Sequence, residues 1–424
     1  MIKRSFFSLS NKPRLTCDLL EPDPEAPVKM DLPGLVTLLI PEPIDGTRTA
    51  LIKKGDVVKK GQKLLLYADN DTQYALSPVS GAIKSIDTFT ADDVSGLCTR
   101  ITIEKNDRRT EPVEFTDMSE DLSFAARHLN QLPGAPRFDG LARNGVQVNT
   151  LVITAADTDL LSTTSQYMGT AHADDLQAGA QILKRITGLS KVYLLIPGYL
   201  LDRVKVDGIT VLPASLNYPD TLPALVMKNH LDKILPAGKT PEDMGIFFIR
   251  AEAVVSLARA FDVKMPVFEK CITLIDKTGA RHRIEAVIGT PLSSIFSQLG
   301  IQVDEQDRIV IGGPMQGFAT FTAHHPVTPD MDTVLVQEKG DIIPLSDTNC
   351  VNCGKCIQAC PADIPVNLLV RFLQAAQYET AADKCDLESC IDCGLCAYVC
   401  TSRIALSQYI RLGKHELRKL RIDA

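Results

Sequence analysis

No stretch of this chain is apolar for the roughly 20 residues that a helix needs to cross a bilayer. The longest candidate, Val192 to Leu201, is broken by Pro197 and Gly198, so membrane association is expected through partners or a surface patch. No secretory signal opens the sequence, and twelve cysteines without one point to a reducing cytoplasm. An excess of positive charge is missing too. The formal net charge is −7, which removes any global electrostatic case for nucleic acid. No Gly-x-Gly-x-x-Gly follows an apolar strand, so the standard dinucleotide fingerprint is absent. Tryptophan is also absent, which by itself excludes nothing. What is present, 424 residues at 45% hydrophobic and 23% charged, is ordinary for soluble globular protein and has room for roughly two to four domains.

The richest signal lies in the last quarter. Cys350, Cys353, Cys356 and Cys360 are spaced C-x2-C-x2-C-x3-C and followed by Pro361. Cys390, Cys393, Cys396 and Cys400 repeat the spacing, with Thr401 in place of the proline. This is the bacterial ferredoxin ligand run, in which three close thiolates wrap one cluster and the fourth cysteine ligates the other. The spacing therefore assigns Cys350, Cys353, Cys356 and Cys400 to one 4Fe–4S centre, and Cys390, Cys393, Cys396 and Cys360 to a second. Disulfides would need an oxidising compartment. Zinc needs four ligands, which paired C-x2-C knuckles could supply, but has no use for the third cysteine and the Cys-Pro. Cys17, Cys98, Cys271 and Cys385 fall off the pattern and read as buried small hydrophobes.

Upstream, Met1 to Asp31 is proline-rich and loop-like, and short strands with turns begin at Leu32. Lys54 to Gln62 holds a brief strand between two turn glycines, Leu64 to Tyr67 a second, and Ala82 to Ile86 a third. The pattern resembles the barrel-sandwich fold of biotinyl and lipoyl carrier domains. In those domains a modified lysine sits at a hairpin tip. The matching tip here is Asp69-Asn70-Asp71, and Asn70 in the lysine position rules out a swinging arm. Asn149 to Thr154 and Lys191 to Ile196 read as buried strands. Asp174 to Thr187 is a helix with Leu176, Ala180, Leu183 and Ile186 on one face and Gly188 closing it. Leu222 to Leu235, Met244 to Ile249 and Ala251 to Phe261 continue an α/β alternation with a largely parallel sheet. Strands at Lys270 to Asp276, Arg281 to Ala286 and Arg308 to Ile311 surround a helix at Pro291 to Leu299. The turn Gly312-Gly313-Pro314-Met315-Gln316-Gly317 follows, read as structural. Pro365 opens a helix with Val366, Leu369, Phe372, Leu373 and Ala376 on its apolar face. Ile404 to Leu420 reads as a basic amphipathic helix carrying Arg403, Arg411, Lys414, Arg418, Lys419 and Arg421. Its charges suit either a solvated face or docking on an acidic partner or an anionic membrane.

The order of these pieces resembles the RnfC family, the C subunit of the Rnf ion-translocating electron-transport complex, a ferredoxin–NAD oxidoreductase. The passages that carry the likeness are Val57-Val58-Lys59-Lys60-Gly61-Gln62, Val287-Ile288-Gly289-Thr290-Pro291, Ile311-Gly312-Gly313-Pro314-Met315, Ser389 to Gly394, Tyr409-Ile410-Arg411 and both cysteine runs. The resemblance implies a multidomain α/β and α+β chain. Its expected parts are a lipoyl-like barrel-sandwich hybrid over residues 1–115, a complex I flavoprotein-like α/β domain over 120–262, a β-grasp SLBB-like unit over 263–325 and a two-cluster ferredoxin-like domain over 335–424. It also implies FMN and NADH binding in the α/β domain, where Gly134, Asp157 and Asp159 are the candidate residues. The chain departs from the family there. Ser8-Leu9-Ser10-Asn11-Lys12 replaces an early glycine pair, and Pro133-Gly134-Ala135-Pro136-Arg137-Phe138 replaces a glycine loop. Thr154 to Leu160 keeps two acids without the family's glycine, cysteine and proline, and Tyr218 to Pro223 lacks a Gly and a Glu. Prolines remove N–H donors and restrict the close backbone approach that phosphate binding needs.

Three functions follow as expectations. The first is an iron–sulfur relay subunit with two 4Fe–4S clusters, peripheral on the cytoplasmic side of the inner membrane. It would exchange single electrons between other members of the complex and a donor protein such as a ferredoxin or cytochrome. The second is an FMN-containing, NADH-oxidising subunit of the same complex. The third is a non-redox scaffold.

Overall fold

The computed structural model describes residues 13–45, 47–90, 96–106, 111–115, 118–141, 147–346 and 348–423. Ser8 to Lys12 lie outside the described residues.

The N-terminal unit is an antiparallel sheet in the order Leu35–Ile40, Leu97–Lys105, Gly81–Thr90, Val57–Val58, with a separate Lys63–Leu65/Tyr74–Leu76 hairpin against it. β-branched and leucine side chains alternate inward along these strands. Val36, Leu38, Ile40, Leu64, Leu66, Ile83, Ile101 and Ile103 form its core. Asp69-Asn70-Asp71 does lie at the hairpin tip between the paired strands.

The central unit is a four-stranded, wholly parallel sheet ordered Thr210–Ala214, Val192–Pro197, Thr150–Thr154, Ile246–Arg250. Period-2 alternation sends Leu151 and Ile153 to one face and Val152 to the other. Helices Ala173–Thr187 and Ala251–Val263 cover the first face, and Pro223–Leu231 covers the second. The first helix carries Asp174 and Asp175 in its first turn and Lys184 and Arg185 in its last, which complements its dipole, and Gly188 closes it in the left-handed region.

A six-stranded mixed sheet follows, ordered Phe318–Thr320, Arg308–Ile311, Thr333–Gln337, Glu269–Ile275, Arg281–Val287, Val28–Lys29. Two features differ from the expectation. The supposed N-terminal loop supplies strands to other units: Leu15–Thr16 pairs with Asn217–Tyr218, and Val28–Lys29 with Arg281–Val287. The sheet also runs past residue 325, because Thr333–Gln337 pairs with both Arg308–Ile311 and Glu269–Ile275. Two-residue strands carry no periodicity, so pattern reading misses them. A buried charge network joins this sheet to the central unit. Lys270 Nζ donates to Glu252 and to Asp332 Oδ1 (2.9 Å), and Arg250 Nε sits 3.1 Å from Asp332 Oδ2. Burial disfavours the Lys270 ammonium, but Asp332 and Glu252 outweigh it and raise its pKa.

The C-terminal unit is helical among the described residues: Lys355–Ala359, Val366–Gln374, Tyr378–Cys385, Leu395–Tyr398 and Leu406–Asp423. Leu369, Val370, Leu373, Cys385, Leu387, Ile410 and Leu417 fill its core. The helix after Pro365 stops at Gln374, so Ala376 is exposed rather than part of an apolar face.

Candidate metal centre

The two cysteine runs fold as twins. In Cys350-Val351-Asn352-Cys353-Gly354, Asn352 has φ +53° and Gly354 +73°; in Cys390-Ile391-Asp392-Cys393-Gly394, Asp392 has +54° and Gly394 +71°. Asn, Asp and Gly are the residues that tolerate the left-handed region. The resulting loop turns backbone N–H groups toward sulfur: Asn352 N donates to Cys350 Sγ and Asp392 N to Cys390 Sγ, both at 3.4 Å. Each glycine then opens a short helix that carries the third cysteine, Cys356 or Cys396.

Each set of four thiols surrounds a void. Cys350, Cys353, Cys356 and Cys400 line one, walled by Val370, Ile404 and Leu406. Cys360, Cys390, Cys393 and Cys396 line another, walled by Ile364, Val366 and Ile410. The last cysteine of each run has therefore crossed to the other's cavity. Among the described residues no three His, Cys, Asp or Glu side chains converge tightly enough to grip a single ion; the thiols stand around a space instead. Four sulfurs, an apolar wall and N–H donors aimed at sulfur fit a 4Fe–4S cluster.

The two sites differ in surroundings. Cys353 is exposed, and a hydrogen bond from the Thr401 hydroxyl is the first cause that lowers its thiol pKa. Cys360, Cys393 and Cys396 are buried. Burial pushes the Cys390 and Cys393 thiols up to about 12 and about 11, and Cys396 also upward. Iron would reverse that direction, since a coordinating thiol is deprotonated by the metal's charge.

The second site is also braced from outside, by residues whose contact with the cysteine loop is not visible in the sequence. Tyr218 Oη donates to Cys393 O at 2.6 Å. Lys414 Nζ donates to Cys390 O and to Asp392 Oδ2, each at 2.6 Å. A Cβ on Gly394 would lie 2.5 Å from Met315 O, so glycine lets this loop seat directly on the Gly312–Gly317 turn. Arg411 donates to Gln316 O (2.6 Å) and Gly317 O (3.2 Å) of the same turn, and Arg421 pairs with Glu388. Arg411 and Lys414 thus clamp the basic helix to the turn and the cysteine loop, while Arg403, Arg418, Lys419 and Arg421 are exposed. Tyr218 falls in the segment compared above with the family's nucleotide site, but its partner here is a carbonyl 175 residues away.

Gly134, Asp157 and Asp159 each engage the chain's own backbone or side chains. Asp157 and Asp159 are buried, 4% and 3% exposed, although two acids after an apolar strand read equally well in the sequence as solvated residues at a strand end. Asp157 accepts from Ser162 Oγ, Ser165 N and Gln166 Nε2 at 2.8–2.9 Å. Asp159 accepts from the N–H groups of Leu160 (2.6 Å), Met315 (3.1 Å) and Gln316 (2.6 Å). Burial raises its pKa to about 6 despite those donors. The glycine-rich turn spends two of its N–H groups on this carboxylate. Gly134 has φ +87°, donates to Pro329 O at 2.7 Å, and packs so that a Cβ would collide with Ala253. Arg137 is exposed and lies 3.7 Å from Asp330. Cys17, Cys98, Cys271 and Cys385 are all buried, as their isolation suggested.

Residues 333–405 match the family model of a 4Fe-4S dicluster domain. Over 402 residues the chain is 30% identical to the C subunit of the ion-translocating oxidoreductase complex of Yersinia enterocolitica, covering 88% of this chain and 56% of that protein. The chain is a relative of that C subunit. The Serratia proteamaculans protein of the same description is 29% identical over 398 residues, covering 88% and 56%, and the Vibrio cholerae protein 27% over 385, covering 85% and 49%. This C-subunit relative thus spans about half the length of the curated proteins it matches. Among solved structures, an NAD+-reducing NiFe-hydrogenase in the H2-reduced state is 12% identical over 70% of this chain and 63% of that one, with a TM-score of 0.47. That likeness is too loose to carry chemistry across.

Proposed function

We propose that the chain is the iron–sulfur electron-transfer subunit of a membrane-associated, Rnf-type ion-translocating oxidoreductase. The observation that carries this reading is the pair of four-thiol cavities. Cys350, Cys353, Cys356 and Cys400 would hold one 4Fe–4S cluster, and Cys390, Cys393, Cys396 and Cys360 the other. Such clusters supply one-electron redox chemistry when bound, while the protein sets spacing, solvent access and local charge. Crossed ligands tie the two sites into one folded unit and keep them close. The remaining units take the roles of a lipoyl-like barrel, a complex I flavoprotein-like α/β domain and a β-grasp SLBB-like unit, with strands exchanged at their borders.

In this reading the α/β domain is scaffold. Gly134, Asp157 and Asp159 support the chain's own backbone, and FMN and NADH are not held there. The donor is then a protein, such as a ferredoxin or cytochrome, or a neighbouring subunit. No helix among the described residues is long and apolar enough to cross a membrane, and we place the protein peripherally on the cytoplasmic side, held by its partners. High salt or loss of those partners releases it to the soluble fraction.

The test is metal and sulfide analysis of anaerobically purified protein, expected to give about eight irons and about eight acid-labile sulfides. Dithionite should produce interacting 4Fe–4S signals by electron paramagnetic resonance. Zinc without labile sulfide would sink the reading. Rapid bleaching by NADH, with stoichiometric FMN released on denaturation, would restore the flavin-dependent alternative.

A further inference from the structure

We propose that the rim of the first cysteine cavity is a docking face for a small acidic protein that carries single electrons. The proposal rests on the two-cluster reading and adds where exchange occurs and with what chemistry. The face has two components. Its apolar part is Ile343, Leu345 and Val351, which are 67%, 63% and 67% exposed. Leu345 and Val351 are held at the cavity mouth: Ser346 N donates to Arg403 O at 3.1 Å, Thr348 Oγ1 donates to Ser402 O at 3.4 Å, and Val351 and Ser402 line the cavity; Ile343 precedes Leu345 on the same segment. Large aliphatic side chains left in water beside one opening mark an interaction site rather than scatter.

The second component is charge. Arg371 is the single charged residue in the cavity lining. Lys355 lies between Cys353 and Cys356, and Arg403 follows the lining residues Thr401 and Ser402. Among the described residues none of the three is ion-paired; Arg371 donates to the neutral Asn352 Oδ1 at 2.7 Å. This contrasts with the second site, where Lys414 is neutralised by Asp392, and with a whole chain of net charge −7. A local basic rim on a protein of net negative charge favours an acidic partner and orients it toward the cavity. A basic carrier would be drawn elsewhere on the surface. The exposed Cys353 sits inside the same rim, so a docked carrier reaches the site without any rearrangement. In the exchange, the reduced carrier would lose one electron and the 4Fe–4S cluster held by Cys350, Cys353, Cys356 and Cys400 would gain it; no group is transferred.

The test is stopped-flow oxidation of a reduced, acidic 4Fe–4S ferredoxin by the iron-loaded protein, across a salt series, with reduced basic cytochrome c as the contrast. The expected result is a second-order rate that falls steeply with ionic strength for the ferredoxin alone. Arg371→Gln, which keeps a donor to Asn352, combined with Arg403→Gln should lower that rate about tenfold at low salt and leave it unchanged at high salt. Iron and sulfide content should stay at the unsubstituted level. A second variant, Leu345→Ser, should weaken exchange at every salt concentration. A fully loaded protein whose rate ignores salt and these substitutions, or which exchanges equally with cytochrome c, overturns the docking face alone. A protein without labile sulfide overturns the cluster reading and the docking face with it.

Discussion

The two cysteine cavities share one sequence pattern and one local fold, yet the molecule treats them differently. The first opens at the surface, with Cys353 exposed and cations at its rim that have no ionic partner among the described residues. The second is pressed against the body of the protein, roofed by Tyr218 and Met315 and braced by Lys414. Identical ligands in unlike surroundings are how a protein separates two redox sites, since exposure, nearby charge and hydrogen bonding set the potential. Under the proposed docking, the outward site meets the partner and the inward one is held behind it.

The largest expected effect comes from removing a ligand on either side. Cys396→Ala should abolish the inward cluster and about half of the iron, and Cys353→Ala the outward one. Time-resolved stripping by a chelator should reach the outward site of the intact protein first; equal rates would erase the contrast. Lys414→Met comes next. It strands Cys390 O and Asp392, costing about 1–3 kcal/mol in chemical denaturation, and should lower the potential of the inward cluster alone. A uniform shift of both potentials would break the distinction.

Asp159 supplies a pH test of the turn on which the inward loop sits. Its pKa of about 6 in the folded protein exceeds the unfolded carboxylate value, so the ionised form costs stability above pH 6. That cost is relieved as pH falls through 6, and relief is complete below about 4. Relative to Asp159→Asn, the unsubstituted protein should therefore gain about 1 kcal/mol between pH 7 and pH 5; a flat difference would mean that the carboxylate is not buried as described. The smallest effect is that of Cys385→Ala. The thiol is buried but off both cavities, so the cost should be about 1 kcal/mol of packing with iron content unchanged.

Much of this organisation is legible in the chain itself for identifiable reasons. The strands at Thr150–Thr154 and Val192–Pro197 are continuous β-branched and leucine runs, as strands covered on both faces must be. The helix Ala173–Thr187 has a clean apolar stripe and a glycine stop. Asp157 and Asp159 illustrate the opposite case. Two acids after a strand look solvated in sequence, because the donors that hold them come from Ser165, Gln166 and a turn more than 150 residues away. The basic helix misleads for the same reason: Arg411 and Lys414 look like surface charge until the carbonyls of Gln316 and Cys390 are brought beneath them.

What the sequence by itself determined is the ligand chemistry and the crossed pairing of the thiols. Short-range spacing, an Asn or Asp and a Gly at the left-handed positions, and a one-turn helix are local properties. What only the tertiary structure decided is which cavity faces outward, what braces the other, and whether the acids of the α/β domain are free to hold a ligand. Those depend on contacts between residues far apart in the chain, and on burial, which changes the meaning of a charge without changing the residue that carries it.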